Sequence, residues 1–270
     1  MKNRGRFSIS TSLFNKAYLK SAWGERNKLA SYERHGFAQF FYLTIAGHLE
    51  AMIAAIVKAR LKSIIQMLHW DRLGPMKYTN NGQEHSLPMK PLVSSLMALL
   101  EALEIESEHA PFEKLCSLYS RVFSKTVASV IGKELDQDVQ GLFRLRNIFA
   151  HSRDWYLEVE GIEQDHRITL DGNPLLLPAQ RLQKAGIIKK LDFNGQNHPE
   201  LMEYFYCDQA LLHFYDQVIK AEMELRNSVD FLPEKYRLHL TKMPNLRTEV
   251  NDQGAESTDA PQTPPAKATE

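Results

Sequence analysis

The chain has 270 residues, 43% of them hydrophobic, which is enough for a substantial buried core in one large domain or two small ones. Lys plus Arg and Asp plus Glu number 33 each, so no global positive field holds long stretches of nucleic acid, and any such contact must be local. Cys116 and Cys207 lie far apart with no C-x-x-C pair, which argues against a disulfide framework and a zinc site and fits a reduced, cytoplasmic setting.

From the N-terminus, Met1 to Ser12 carries Lys2, Arg4 and Arg6 with no apolar stretch behind them, unlike a secretory signal. Residues 12–35 predict a weakly amphipathic helix, with Thr11 or Ser12 as its N-cap and an interruption around Gly24, packed as an outer layer. Gly36 to about Trp70 is strongly helical, and Leu43, Ala46, Glu50, Ile53, Val57, Leu61 and Ile64 recur at three- and four-residue steps along one face. That is a core stripe holding one carboxylate. Its most apolar run, Phe40 to Val57, contains His48 and Glu50 and is shorter than the roughly 20 residues a bilayer requires, so it reads as a buried helix and no membrane partner is expected.

Residues 71–91 hold Gly74-Pro75, Asn80-Asn81-Gly82, Pro88 and Pro91, and predict a loop or excursion from the bundle. Helices follow over Leu92 to about Glu106 and from Pro111 to Ile131, with Pro111 at a first helical position and Gly132 as the stop. Asp136 or Asp138 is then expected to cap a further helix whose apolar positions are Val139, Leu142, Leu145 and Phe149. Tyr156 to Val159 and Arg167 to Leu170 read as a small β-hairpin, and Asp171-Gly172-Asn173-Pro174 as a turn. A long helix runs from Pro199 to about Ser228. Asn251 to Glu270, rich in Pro, Ala, Thr and acids, lacks large apolar residues and predicts a disordered tail.

Taken together, these elements predict a mainly all-α protein. Residues 1–35 form an N-terminal helical extension, 36–235 a helical bundle with a hairpin and loop excursion at about 156–198, and 236–270 a C-terminal tail disordered from about 251.

Chemistry concentrates in the segment Leu142-Phe143-Arg144-Leu145-Arg146-Asn147-Ile148-Phe149-Ala150-His151. His151, with an ordinary pKa near 6.5, can act as base or acid at neutral pH. Arg146 can bind a phosphate through two parallel hydrogen bonds. Five residues at about 100° each place the two about 140° apart, so the arginine must reach around the helix. Asn147 shares the face of His151, four residues on, and can orient the imidazole or contact a phosphate or base. Arg144 aligns with it too, and Arg144 and Arg153 are candidate contacts to RNA. A carboxylate on an apolar stripe needs a donor, and Arg146 is the partner expected for Glu50, with His48 or a lysine as the alternatives. Trp70, Trp155 and Tyr156 either stack on bases or pack at helix ends. His109, His166, His198 and His213 have no ligand spacing, and neither a metal site nor a cofactor is expected.

The Arg146 to His151 segment resembles the R-x-x-x-x-H signature of the HEPN superfamily, in its form with Asn after the Arg and Ala before the His. Upstream, Ala46-Gly47-His48-Leu49-Glu50-Ala51 is similar to the first-helix pattern of many HEPN domains. The resemblance covers roughly residues 36–155 and, more loosely, 199–228. It implies an all-helical bundle and a homodimer that brings two motifs into one cleft. In active members it also implies RNA cleavage without metal, in toxins or phage-defence effectors, with an antitoxin or nucleotidyltransferase as a candidate partner. The alternative is a non-catalytic HEPN-like domain that binds a nucleotide, RNA or a protein. The plainest reading of Arg146 and His151 is a cation pair stabilising a helix end.

Overall fold

The structure, a computed structural model, describes residues 11–67, 76–87, 89–150, 158–160, 167–169, 173–189, 193–194, 203–229 and 243–246. The fold is mainly α-helical with small antiparallel β-sheets. Two of the sequence expectations, the tail beyond Asn251 and the turn at Asp171-Gly172, lie outside these residues.

Helix α1 (Thr11–Glu25) ends in a single 3-10 turn, and α2 (Ser31–Met67) begins five residues before the expected Gly36. The earlier start has a local cause: the Glu33 carboxylate accepts the Ala30 N–H at 2.8 Å, satisfying one of the donors a helix start leaves open. Leu19 and Trp23 of α1 are fully buried, and Arg26 lies 3.8 Å over the Trp23 ring while pairing with Asp208.

α2 is the axis of the bundle. It is long and apolar enough to cross a membrane, a property of length and composition. Ala46, Ile53, Val57 and Leu61 of the expected stripe are buried, and so are Phe41, Tyr42, Ile45, Leu49, Met52 and Ile56. Burial on so many sides follows from its neighbours, because α2 packs against helices on several faces rather than one.

The expected loop or excursion at 71–91 contains a hairpin, β1 (Met76–Asn80) with β2 (Gln83–Leu87). Asn80 pairs with Gln83, leaving Asn81-Gly82 as the two-residue turn with φ of 51° and 77°, the left-handed pair that such a turn demands. α3 (Met89–His109) is longer than the expected Leu92 to Glu106.

The single helix expected over Pro111 to Ile131 is two. α4 (Phe112–Phe123) stops at Ser124, which adopts φ 55°, and α5 (Val127–Ile131) restarts with the Thr126 hydroxyl accepting the Ser129 N–H at 3.0 Å. Pro111 precedes the helix as its cap residue. Gly132 does end α5, at φ 87° and ψ 150°, a backbone region essentially reserved for glycine. Nothing crowds a Cβ there, so the strain is conformational alone. Gly132→Ala is expected to lower unfolding stability by about 1–3 kcal/mol, measurable by denaturant titration.

α6 (Lys133–Ala150) starts directly after Gly132, so neither Asp136 nor Asp138 caps it. Asp136 lies in the first turn, where a carboxylate favours the helix dipole. Asp138 turns into the core. After α6 come β3 (Glu158–Glu160) and β4 (Arg167–Thr169), the expected hairpin, joined at its edge by β5 (Phe193–Asn194). Between them lies α7 (Leu176–Lys184), a helix the sequence reading missed inside its excursion. Pro178 is the third helical residue, where the missing N–H costs nothing. Gly141 of α6 lets Pro178 approach its backbone closely. A short helical turn over 203–206 precedes α8 (Asp208–Asn227), so the expected helix from Pro199 is interrupted at Cys207.

Candidate active site

α6 buries Val139, Leu142, Phe143, Leu145 and Ile148, which leaves Arg144 exposed and Arg146 and Asn147 half-buried near its C-terminal end. Opposite them, α2 presents Glu50 from mid-helix. The Arg146 Nη2 donates to both Glu50 oxygens, at 2.9 and 3.2 Å, and Nη1 donates to the Asn147 Oδ1 at 2.9 Å. Glu50 therefore has the partner expected for it. A guanidinium offers five N–H donors, so this grip leaves donors over for a ligand.

The electrostatics of the pair are unequal. Burial pushes the Glu50 carboxyl above its ordinary pKa, against the opposing pull of the Arg146 charge and hydrogen bond and of the Phe112 backbone N–H at the start of α4. A carboxylate that is costly to bury ionised holds its cation firmly, because losing that cation would leave it without compensation. Glu50 and Arg146, with Ala51, Ala54, Pro111 and Leu115, line a cavity of about 410 Å³.

Asn147 also faces a second, larger cavity of about 820 Å³ between α4, α5 and α6, and Arg144 lies beside it on that wall. Arg144 is thus separated from Arg146, as a two-residue step around a helix requires. The Cys116 thiol in this groove is pushed up to about 12 by burial and by the nearby Asp136 and Glu113 charges, and stays protonated. Sequence reading did not single out Arg121, Ser117 or Ser120 of α4, which also line the groove. The signal was present, as Glu113, Ser117 and Arg121 recur every four residues.

His48, two residues before Glu50, points elsewhere. Its Nε2 lies 3.0 Å from Glu222 of α8, whose other oxygen takes the Arg226 guanidinium. Burial raises the Glu222 carboxyl, and His48 and Arg226 outweigh it to hold the group below its usual range. His213 joins Asp138 and Arg181 in another buried network. His151 and Arg153 lie outside the described residues, as do Trp70, Trp155 and Tyr156. Among the described residues no group of three or more His, Cys, Asp or Glu side chains is placed to hold a metal ion.

No protein-family model, curated protein or solved structure matches the chain.

Proposed function

We propose that the chain is a metal-independent RNA endonuclease of HEPN type, acting in the cytoplasm as a toxin or phage-defence effector. The observation that carries this reading is the Glu50–Arg146–Asn147 arrangement, in which the arginine of the R-x-x-x-x-H segment is held from both arms at the edge of a cavity. A guanidinium fixed in this way is suited to a charge that develops in a transition state, because its donors are already aimed.

The reaction that fits is attack of the RNA 2'-hydroxyl on its own phosphate. The 2'-oxygen to phosphorus bond forms as the bond to the 5'-oxygen breaks, leaving a 2',3'-cyclic phosphate and a 5'-hydroxyl. His151 takes the proton from the 2'-hydroxyl or gives one to the leaving oxygen, and Arg146 offsets the charge on the equatorial oxygens. One chain supplies one such histidine in this motif, and a twofold homodimer would bring the second. The test is RNA cleavage in excess EDTA by wild type, Arg146→Ala and His151→Ala. A cyclic-phosphate product is expected from wild type and far more slowly from either variant, and equal cleavage by all three rules the reading out.

Glu50 acts through Arg146 as a positioning residue. Glu50→Gln keeps an acceptor for the guanidinium but removes its counter-charge, and should lower kcat about 10- to 100-fold through misplacement of the arginine. The melting temperature should stay close to wild type, and collapse of the fold in this variant would make Glu50 structural instead.

The second reading, a non-catalytic domain that binds RNA, a nucleotide or a protein partner, is favoured by the same ion pair. Glu50 already offsets the Arg146 charge, as a recognition arginine with no rate to accelerate tolerates. It predicts binding with no product, and equal toxicity on expression of wild type and His151→Ala.

A further inference from the structure

The groove between α4, α5 and α6 has no role in the chemistry at Arg146, yet it adjoins that residue through Asn147. One side chain serves both places: the Asn147 oxygen accepts from Arg146, and the residue lines the groove wall. Arg144 lies three residues before it on the same face, and Arg121 lines the groove from α4. Among the described residues neither Arg121 nor Arg144 has a hydrogen-bond or ion-pair partner. Two guanidinium groups thus line one channel with no ion-pair partner among the described residues.

The extent of α4 beside the channel follows from helix geometry. Phe112 at the start of α4 stacks on Phe143 at 3.7 Å between ring centroids, next to Arg144. Arg121 is nine residues further along α4, about 13 Å at 1.5 Å per residue. A stacked strand rises roughly 3.4 Å per nucleotide, so that length of α4 matches a few nucleotides. Ser117 and Ser120 also line the channel and supply hydroxyl donors. Glu113 and Asp136 also face the channel. Their carboxylates disfavour phosphate beside them and can accept from exocyclic amino groups of bases.

We infer that this groove carries the single-stranded RNA flanking the cut, with Arg144 and Arg121 each holding a phosphate. The inference rests on the nuclease reading for its substrate. It asks only for a local contact, two arginines in a channel that two carboxylates also line, which a chain of zero net charge can provide.

The test uses the full-length protein with a labelled RNA of about twelve nucleotides and a dinucleotide too short to reach Arg121. Arg121→Ala and Arg144→Ala should each reduce the preference for the longer RNA, as the ratio of kcat/KM values, about tenfold. Each should also flatten the salt dependence of longer-RNA binding by about 0.7 in log–log slope. Unchanged ratios and slopes in both variants, with cleavage still abolished by Arg146→Ala, overturn the groove and leave the nuclease standing. If wild type cuts neither RNA the nuclease reading falls, and anisotropy decides the groove alone: a slope that drops in Arg121→Ala supports RNA there, and an unaltered one overturns it. Competition by polyglutamate as effective as that by RNA overturns it in favour of an acidic protein segment.

Discussion

On the nuclease proposal Arg146→Ala is expected to slow RNA cleavage about 10²- to 10³-fold, the loss typical of removing one group that stabilises developing transition-state charge. The mutation has a second effect that must be separated from the first. It strips Glu50 of the cation that offsets its burial, and a carboxyl already held above its ordinary pKa would rise further. Some loss of stability, about 1–3 kcal/mol, should accompany the loss of activity. Arg146→Lys distinguishes the two. Lysine keeps the charge beside Glu50 but cannot hold Glu50 and Asn147 through separate arms of a planar group. Activity should therefore fall in Arg146→Lys while the melting temperature is largely retained. A lysine variant as active as wild type would show that charge alone matters and that the two-armed grip is incidental.

Arg181→Met should produce the largest change in stability. Arg181 is 8% exposed and gives two hydrogen bonds to Asp138, at 2.7 and 2.9 Å, while also reaching Glu134 and Gln137 of the same helix. Without it Asp138, 5% exposed, keeps only His213 at 3.2 Å among these partners. Removing one member of a buried pair costs about 3–5 kcal/mol, which lowers the melting temperature by about 10 °C in a domain of this size. The pH dependence gives an independent check. Burial raises the Asp138 carboxyl, but hydrogen bonds from His213 and Arg181 and their charges outweigh it and hold the group below its usual value. The folded state thus takes up its proton later than the unfolded chain as pH falls. The stabilisation is complete above the ordinary aspartate range and is lost as pH drops through the depressed value. The gap between wild type and Arg181→Met, read by urea titration at successive pH values, should narrow below about pH 4. A gap that stays constant down to pH 3 would assign the effect to packing.

Much of the centre of this fold was legible from the order of residues. α2 and α6 are long, and their apolar positions repeat often enough to declare a helical period. The pairing of Glu50 with Arg146 was legible for a different reason, since a carboxylate among Ala46, Ile53 and Val57 must find a cation or a donor. Other parts gave weak or contrary signals. The strands of the 76–87 hairpin, Met-Lys-Tyr-Thr-Asn and Gln-Glu-His-Ser-Leu, alternate poorly, so only the Asn81-Gly82 turn announced them. The break between α4 and α5 depends on a serine in a left-handed conformation, which sequence rarely betrays. α7 was hidden by Pro174 and Pro178, residues that usually interrupt helices and here fall before the first turn or within it. Arg181 gave no signal of its burial, because its acceptors lie more than forty positions away. His48 illustrates the limit of counting along a helix: it is two residues from Glu50 and serves a different wall of the bundle.

That last placement has a consequence for how the site meets a ligand. Within three residues α2 is fastened to α8 through His48 and Glu222, and to α6 through Glu50 and Arg146. Both clamps close when the chain folds. The guanidinium is thus preorganised, and on the proposed reading an incoming phosphate spends little of its binding energy on freezing a wandering arm. The same rigidity sets a cost: a molecule of the wrong shape finds a lattice of fixed partners that will not rearrange to receive it.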